Sequence, residues 1–450
     1  MVKLAGTLSH FQPISALVVG DYMLDTYTTG RVRRISPEAP VPIMEVLKQE
    51  SRPGGAGNVV LSLVALGAHV MAAGRLGDDA EGREIKASLL KERADIECLI
   101  EETQYRTPVK NRLIAESQQL LRVDQETITP VTSSFEARLM ETLSDVSKRA
   151  QVIALSDYGK GLLTPSLISK VIALARGSDI PIIVDPKGID FAKYRGATIL
   201  KPNLAEAYAA AKVAVGEPLE AVAEKIHQIT DVDYLLITRS EAGISLFDRS
   251  MRRKDFPVRS REVLDVTGAG DTVLAVISAA LANGLDLSIA VQLANIAAGI
   301  AIERLGCTQV TLAELAHRLL EFDADSKVFD DSHTFALSQV LKGKHYSLLV
   351  LAKGQKMSNE LFRALRTLGG SETEHLVVYV RDSHADDEFI HFLSSLQEVD
   401  TIILQTESLL NLCETIHPNG IFFLENEKLR KFDGAQELLS VLRQCQLQIG

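Results

Sequence analysis

Cysteine is scarce in this sequence: only Cys98, Cys307, Cys413 and Cys445 occur, and they stand far apart. No two of them have metal-ligand spacing, so a structural zinc site is excluded. So few thiols suit a reducing compartment. The chain is therefore read as cytoplasmic, with Cys307 expected to be buried. Positive charge is the minority sign, with 48 Lys and Arg against 59 Asp and Glu and a net charge of −11. That balance argues against nucleic acid and anionic membrane surfaces as partners. A long apolar run is missing as well. Ile14 to Val19 is too short to span a bilayer and runs into Gly20-Asp21, so it reads as a buried first strand rather than a signal peptide. There is no low-complexity tract and no internal repeat. What is present is an ordinary globular balance of 450 residues, 46% hydrophobic and 24% charged. That length suggests about two to three domains and ample material for a core.

Chemistry concentrates in Asp265-Val266-Thr267-Gly268-Ala269-Gly270-Asp271-Thr272. Gly268-Ala269-Gly270 lets backbone amides approach an anion with no side chain in the way. An apolar helix is predicted from Thr272 through Ala282, stopped by Asn283-Gly284. A helix start carries unpaired N–H groups and partial positive charge, which attract phosphate. Asp271 beside such a loop can take a proton from an attacking hydroxyl. The same residues also fit a plain glycine turn with an acid capping a buried helix.

Earlier in the chain, Ala16-Leu17-Val18-Val19-Gly20-Asp21 reads as a strand. Ligands of α/β sheets sit outside the carboxyl ends of strands, which places Asp21 and Asp25 at a ligand. Pro40-Val41-Pro42-Ile43-Met44-Glu45-Val46 reads as a protruding edge ribbon, because proline suits edges. Such an edge needs cover, and a second subunit would supply it. A second glycine loop, Gly54-Gly55-Ala56-Gly57-Asn58, opens an apolar helix over Val59 to Leu66. It lacks the Lys-Ser/Thr pair of a Walker loop. Close backbone approach to a sugar hydroxyl, with Asn58 donating and accepting, fits it better.

The two glycine motifs, in this order, resemble the paired signatures of the ribokinase-like (PfkB) sugar kinases. Lys201-Pro202-Asn203-Leu204-Ala205-Glu206 resembles that family's Asn-x-x-Glu motif. The resemblance implies an α/β three-layer sandwich with a β-lid, ATP and Mg²⁺ as cofactors, and Asp271 as base. It also implies that Asn203 and Glu206 serve the metal, Glu206 through water. It places Thr238, Ser240 and Gly243 beside the nucleotide phosphates and Asn295 beside the adenine. Arg34 to Pro42, Ser156-Asp157-Tyr158-Gly159-Lys160-Gly161, Val184-Asp185-Pro186-Lys187-Gly188 and Thr238-Arg239-Ser240-Glu241 narrow it further. Together they resemble the kinase half of bacterial enzymes that phosphorylate C1 of D-glycero-β-D-manno-heptose 7-phosphate for lipopolysaccharide.

A phosphosugar substrate needs cations, and Arg binds phosphate bidentately. Thr107 to Asp124 alternates like a lid strand and carries Lys110, Arg112 and Arg122; Lys160 and Lys187 each follow a β-run. At least two of these five are expected to reach the substrate. The kinase domain is read as 1–322, with a polar hinge over 322–326. A smaller Rossmann-like domain, 326–450, then resembles a nucleotidyltransferase. Its expected His-x-Gly-His position, within Leu351 to Leu361, has no histidine, and Phe423 to Glu427 stands where a Lys-Gly-Gly-Asp turn would be. The chain is thus expected to be a homodimeric sugar kinase, paired through the lid, with a degenerate second domain. Retained adenylyl transfer, another phosphosugar, and a non-catalytic sugar-binding regulator stay open.

Overall fold

A computed structural model describes residues 7–8, 11–116, 118–258, 263–304, 306–323, 327–330, 333–369, 375–382, 387–404, 409–425 and 428–432. They fall into two compact units, one formed by Gln12–Thr311 and the other by the residues up to Phe11 together with those from Leu312 onward. The helix Leu312–Asp323 groups with the second unit and takes up the start of the expected hinge; Ala324, Asp325 and Ser326 lie outside the described residues.

The strands of the first unit are β1 (Ser15–Gly20), β2 (Tyr22–Ile35), β3 (Pro42–Gly55), β4 (His69–Gly77), β5 (Asp95–Glu102), β6 (Val109–Ala115), β7 (Gln118–Gln125), β8 (Val152–Ser156), β9 (Ile182–Asp185), β10 (Ile199–Leu200), β11 (Tyr234–Thr238), β12 (Ile244–Asp248) and β13 (Arg253–Phe256). Nine of them form one sheet in the order β13-β12-β11-β10-β9-β8-β1-β4-β5. From β11 to β5 every neighbour pair is parallel; β12 and β13 close the edge antiparallel. β1 sits between β4 and β8 and is covered on both faces, which is why it reads as an unbroken apolar run. One face packs on the helices Ser133–Val146, Pro165–Gly177, Leu204–Ala211 and Leu219–Thr230. The other face carries the helices Ala56–Ala65, Ala269–Ala282 and Leu287–Ile302, which pack on one another. These last three are apolar nearly all round, as buried helices are. This is the expected three-layer sandwich.

Order along the sheet also explains where function collects. At β1 the spatial order turns, and the strand ends on Gly20-Asp21 beside the ends of β8 and β9. A Cβ at Gly20 would lie 2.4 Å from the Ser156 carbonyl, so only glycine lets β1 and β8 come together there. The predicted lid is a separate four-stranded sheet, β3-β2-β6-β7. β2 leaves the core buried and becomes exposed along its length, while β7 is exposed throughout. Ile35, Val46, Leu47 and Leu121 are each more than half exposed, with 62%, 57%, 54% and 57% of their surface open.

In the second unit, β14 (Val328–Asp330), β15 (Tyr346–Leu351), β16 (His375–Val380), β17 (Thr401–Leu404), β18 (Gly420–Glu425) and β19 (Lys428–Phe432) form a sheet. Its order is β14-β17-β16-β15-β18-β19, parallel except for the last pair. The order reverses at β15, as in a Rossmann-like sheet. Leu349, Leu351, Leu361, Leu365, Val378 and Ile402 lie in its core. Among the described residues, no helix is long and apolar enough to cross a membrane.

Candidate active site

The helix Ala269–Ala282 starts at Gly268, whose φ is 82°. That left-handed backbone strains any other residue. A Cβ there would also meet Asn58 Nδ2 at 2.8 Å and Cys307 Sγ at 3.3 Å. Asp265 ties the loop down. One of its oxygens accepts from the Thr267 amide at 2.9 Å and the Thr267 hydroxyl at 2.7 Å, and the other accepts from the Gly306 amide at 2.9 Å. The Ala269 amide makes only a long bond, 3.3 Å, to the Val266 carbonyl. The helix therefore starts at Ala269, earlier than predicted, and the proposed amide hole is its first turn.

Asp271 lies in that first turn and is 2% exposed. Asn58 Nδ2 donates to its Oδ2 at 2.8 Å, and the Tyr158 hydroxyl donates to its Oδ1 at 2.7 Å. Gln309 Nε2 donates to Asn58 Oδ1 at 3.3 Å, which fixes the Asn58 amide with its nitrogen toward the acid. Burial pushes the Asp271 carboxyl up to about 7; the Asn58 bond pulls against this, the Asp185 charge adds to it, and the Tyr158 bond opposes it. A carboxylate poised there is matched to proton transfer near neutral pH.

Under the same loop lies a buried ion pair. Lys201 Nζ is 2.9 Å from Asp185 Oδ2, and Lys201 is 2% exposed. A Cβ at Gly270 would sit 3.5 Å from that ammonium. A fixed cation thus backs the amides at the place where a phosphoryl oxygen would develop charge.

The two early acids have different tasks. Asp21 Oδ2 accepts from the amides of Tyr158 at 2.9 Å and Lys160 at 3.0 Å, which fixes the turn after β8. Burial, with the Asp157 charge adding, pushes Asp21 up to about 6. Asp25 Oδ1 accepts from Arg112 Nη1 at 2.6 Å, and Arg112 also lies over the Tyr27 ring. A Cβ at Gly54 would strike Asp25 Oδ2, and one at Gly55 would lie 2.6 Å from the Asp21 carbonyl. The early glycine loop is therefore required for backbone approach to both acids.

Of the five expected cations, Lys160 and Arg122 lie near enough to act on Lys110. Lys160 pairs with Glu126 at 2.6 Å and is 7% exposed. Lys110 Nζ lies over the Tyr158 ring at 5.9 Å. Burial, and then the Lys160 charge with that of Arg122 behind it, lowers the Lys110 ammonium. Arg122 is paired with Asp124 on β7. Arg112 is committed to Asp25, and Lys187 stands elsewhere, 2.7 Å from Glu206 Oε1.

Asn203 caps the helix Leu204–Ala211 in a reciprocal box with Glu206, at 2.9 and 3.1 Å. The charges of Glu206 and Lys187 act on Asp185, whose carboxyl burial raises, so two acids and two lysines share one neighbourhood. Among the described residues no group of three His, Cys, Asp or Glu converges on one point. This donor set fits Mg²⁺, which keeps several waters and uses one or two carboxylates plus phosphate oxygens. Asn203 bridges to Thr238 at the end of β11. Ser240 follows with φ 50°, and Gly243 has φ 82° where a Cβ would strike the Phe256 carbonyl. Asn295 donates its amide nitrogen to the Phe256 carbonyl at 3.2 Å and the Pro257 carbonyl at 2.8 Å. It anchors the end of β13.

Tyr158, Asp185, Lys201 and Gln309 had received no role from the sequence. Asp185 ends and Lys201 directly follows an apolar β-run, and Tyr158 stands two residues past the end of another, so the rule that picked Asp21 could have found them. Nothing local marks Gln309.

In the second unit, Leu351 ends β15, Gly354 turns with φ 73°, and Ser358 Oγ accepts from the Leu361 amide at 3.1 Å to start the helix Asn359–Gly369. This is the strand, turn and helix start where the histidine motif was expected, and it has none. Phe423 and Leu424 belong to β18; Asn426 and Glu427 lie outside the described residues.

The model of the pfkB family carbohydrate kinases matches residues 14–313. The bifunctional protein HldE of Geobacter sulfurreducens is 39% identical over 430 residues, covering 91% of this chain and 87% of that protein. The bifunctional protein HldE of Trichlorobacter lovleyi is 45% identical over 319 residues, 70% of this chain and 65% of that protein. The structure of Arabidopsis thaliana ribokinase complexed with ribose and ATP aligns with a TM-score of 0.56 at 18% identity, over 68% of this chain and 99% of that one. Phosphofructokinase-2 from Escherichia coli in complex with potassium aligns with a TM-score of 0.58 at 17% identity, over 69% and 99%. At such identity these two show a shared fold alone.

Proposed function

The chain belongs to the pfkB family of carbohydrate kinases, and on that premise we propose that it phosphorylates C1 of D-glycero-β-D-manno-heptose 7-phosphate with ATP, giving the 1,7-bisphosphate. The observation that carries this is Asp271, buried at the start of a glycine-loop helix and held by Asn58 and Tyr158. Asp271 takes the proton of the anomeric hydroxyl as that oxygen attacks the γ-phosphorus, and ADP departs. The amides of Gly268, Ala269 and Gly270, backed by Lys201, receive the charge on the transferring group. Glu206 would hold Mg²⁺ through water, beside Asn203, with Lys187 fixing the Glu206 carboxylate. When bound, the ion would supply positive charge against the ATP phosphates. Thr238, Ser240 and Gly243 line the phosphates. Asn295 shapes the adenine side through the backbone it anchors.

Lys110, Lys160 and Arg122 bind the phosphate already on the sugar. Gly54, Gly55 and Asn58 allow the sugar to approach the backbone, and Asp25, aimed by Arg112, accepts from its hydroxyls. Asp21 acts through the turn it fixes. The kinase domain is taken as 1–322 and the second domain as 326–450, in a cytoplasmic homodimer joined by lid faces bearing Ile35, Val46, Leu47 and Leu121. Light scattering on the purified chain checks this assembly: a dimer is expected, and a monomer at micromolar concentration would refute the lid pairing.

A panel of phosphosugars, read by ADP release, tests the reaction. Heptose 7-phosphate should give the highest kcat/KM, and the same sugar without its phosphate should lose most of it. A second reading, in which adenylyl transfer is retained, is favoured by relatives named bifunctional that match most of the chain. The absence of histidine from Leu351 to Leu361 argues against it.

A further inference from the structure

We infer that Tyr158 is a positioning residue for the base: its hydroxyl, carried on a turn that Asp21 clamps, fixes the Asp271 carboxylate so that a defined lone pair faces the sugar. The inference rests on the reading of Asp271 as the base. A carboxylate has two oxygens and free rotation about its last bond, so a single hydrogen bond leaves it a choice of orientations. Here each oxygen has its own donor from a different element. Asn58 comes from the helix Ala56–Ala65 and Tyr158 from the turn after β8. Two donors approaching from different directions fix the plane of the group.

Each donor is itself held. Gln309 orients Asn58. The Asp21 carboxylate takes the amides of Tyr158 and Lys160, and the Asp21 backbone bonds to Ser156 and Ala56. Asp21 thus joins the turn that bears Tyr158 to the start of the Asn58 helix, and a shift of one donor is transmitted to the other. Gly55 Cβ would approach the Tyr158 ring to 3.4 Å, so the early glycine loop also gives that ring its room.

The direction of the effect follows from charge. A hydrogen bond donated to an ionised acid favours the ionised form. Burial and the Asp271 charge hold the Tyr158 phenol well above its ordinary range, so it stays a donor at every working pH. The other charged or titratable groups that face the pair are Asp185, Lys201, Cys307 and Lys110, from β9, the end of β10, the segment after Leu287–Ile302, and β6. None of them is altered by removing one hydroxyl.

The test is the pH profile of kcat/KM for the phosphosugar in the full-length protein, wild type against Tyr158→Phe. The acid limb should move up by about one pH unit, because the acid loses a stabilising donor. Turnover below neutrality should drop about tenfold and recover at higher pH, with KM for ATP unchanged. Introducing 3-fluorotyrosine at position 158 strengthens the donor without removing it and should move the limb down. That second measurement decides the matter even where the phenylalanine variant folds poorly. A uniform loss at all pH values, or a limb that moves with neither change, overturns the role of Tyr158 while leaving the kinase reading intact. Wild-type protein that releases no ADP with any phosphosugar, or Asp271→Asn protein that retains turnover, overturns the reading and this inference together.

Discussion

Two helix starts in this molecule use similar local architecture and differ in nearly everything chemical. The helix Ala269–Ala282 begins on a glycine with φ 82°, and the acid of its first turn is buried between two donors above a buried ammonium. The helix Asn359–Gly369 also follows a turn in an α/β unit, at the strand where the sheet order reverses. There Ser358 caps its own helix, Glu360 stands in the first turn, and Lys353 and Lys356 are exposed. Glu360 would repel nucleotide phosphates, and the stretch Leu351 to Leu361 contains no histidine to hold them. Both units keep an apolar parallel sheet. A fold is maintained by its buried pattern, whereas an active site needs a few polar groups brought together, and these can be lost without harm to the core.

The most severe way to break this comparison is Asp271→Asn. It should cut sugar-dependent ADP release by about 10²–10⁴-fold and leave ATP binding close to wild type, as followed by nucleotide titration. A variant that keeps most of its turnover would remove Asp271 from the mechanism. A smaller effect is expected from Lys110→Met, which removes one cation facing the substrate phosphate. Loss of one charge-assisted contact costs about 1.5–3 kcal/mol, so KM for the phosphosugar should rise by about ten- to a hundredfold, with KM for ATP unmoved. Equal losses for both substrates would assign Lys110 to the fold instead.

The smallest effects belong to the second unit. Full-length protein given heptose 1-phosphate, ATP and Mg²⁺ should release no pyrophosphate above background, and measurable release would restore the retained-adenylyltransferase reading. Ser358→Ala should cost that unit about 1 kcal/mol of helix-cap stability, visible in denaturant unfolding, and leave kinase turnover per folded molecule unchanged. A fall in turnover would show that the two helix starts are coupled.

Much of the molecule was legible before its structure. β1, the helices around Asn58 and Asp271, the lid strands and the second sheet each carry their own periodicity or glycine signal. The site was legible in part. Asp271, Asn58 and the glycines were singled out because a glycine loop at a helix start is written in adjacent residues, and the structure brings Asp271, Asn58 and Gly268 together. The cations were singled out as a set, and only the fold showed their partners: Arg112 pairs with Asp25, Lys187 with Glu206, Lys160 with Glu126 and Arg122 with Asp124. The sequence placed Asp21 at a strand end but did not show that its carboxylate clamps the turn after β8.

By itself, then, the sequence determined which segments bury, where the backbone must bend at Gly54, Gly55 and Gly268, and which acid stands beside the amide loop. Burial pattern and backbone sterics act between near neighbours, so they are recorded in order along the chain. The tertiary structure alone decided that Tyr158 and Asn58 grip the two oxygens of Asp271, that Gln309 orients Asn58, and that Lys201 lies under Gly270. Each of these contacts joins residues far apart in the sequence. Hydrogen bonds and ion pairs act over a few ångströms, and only the packed sheet brings such partners within that range.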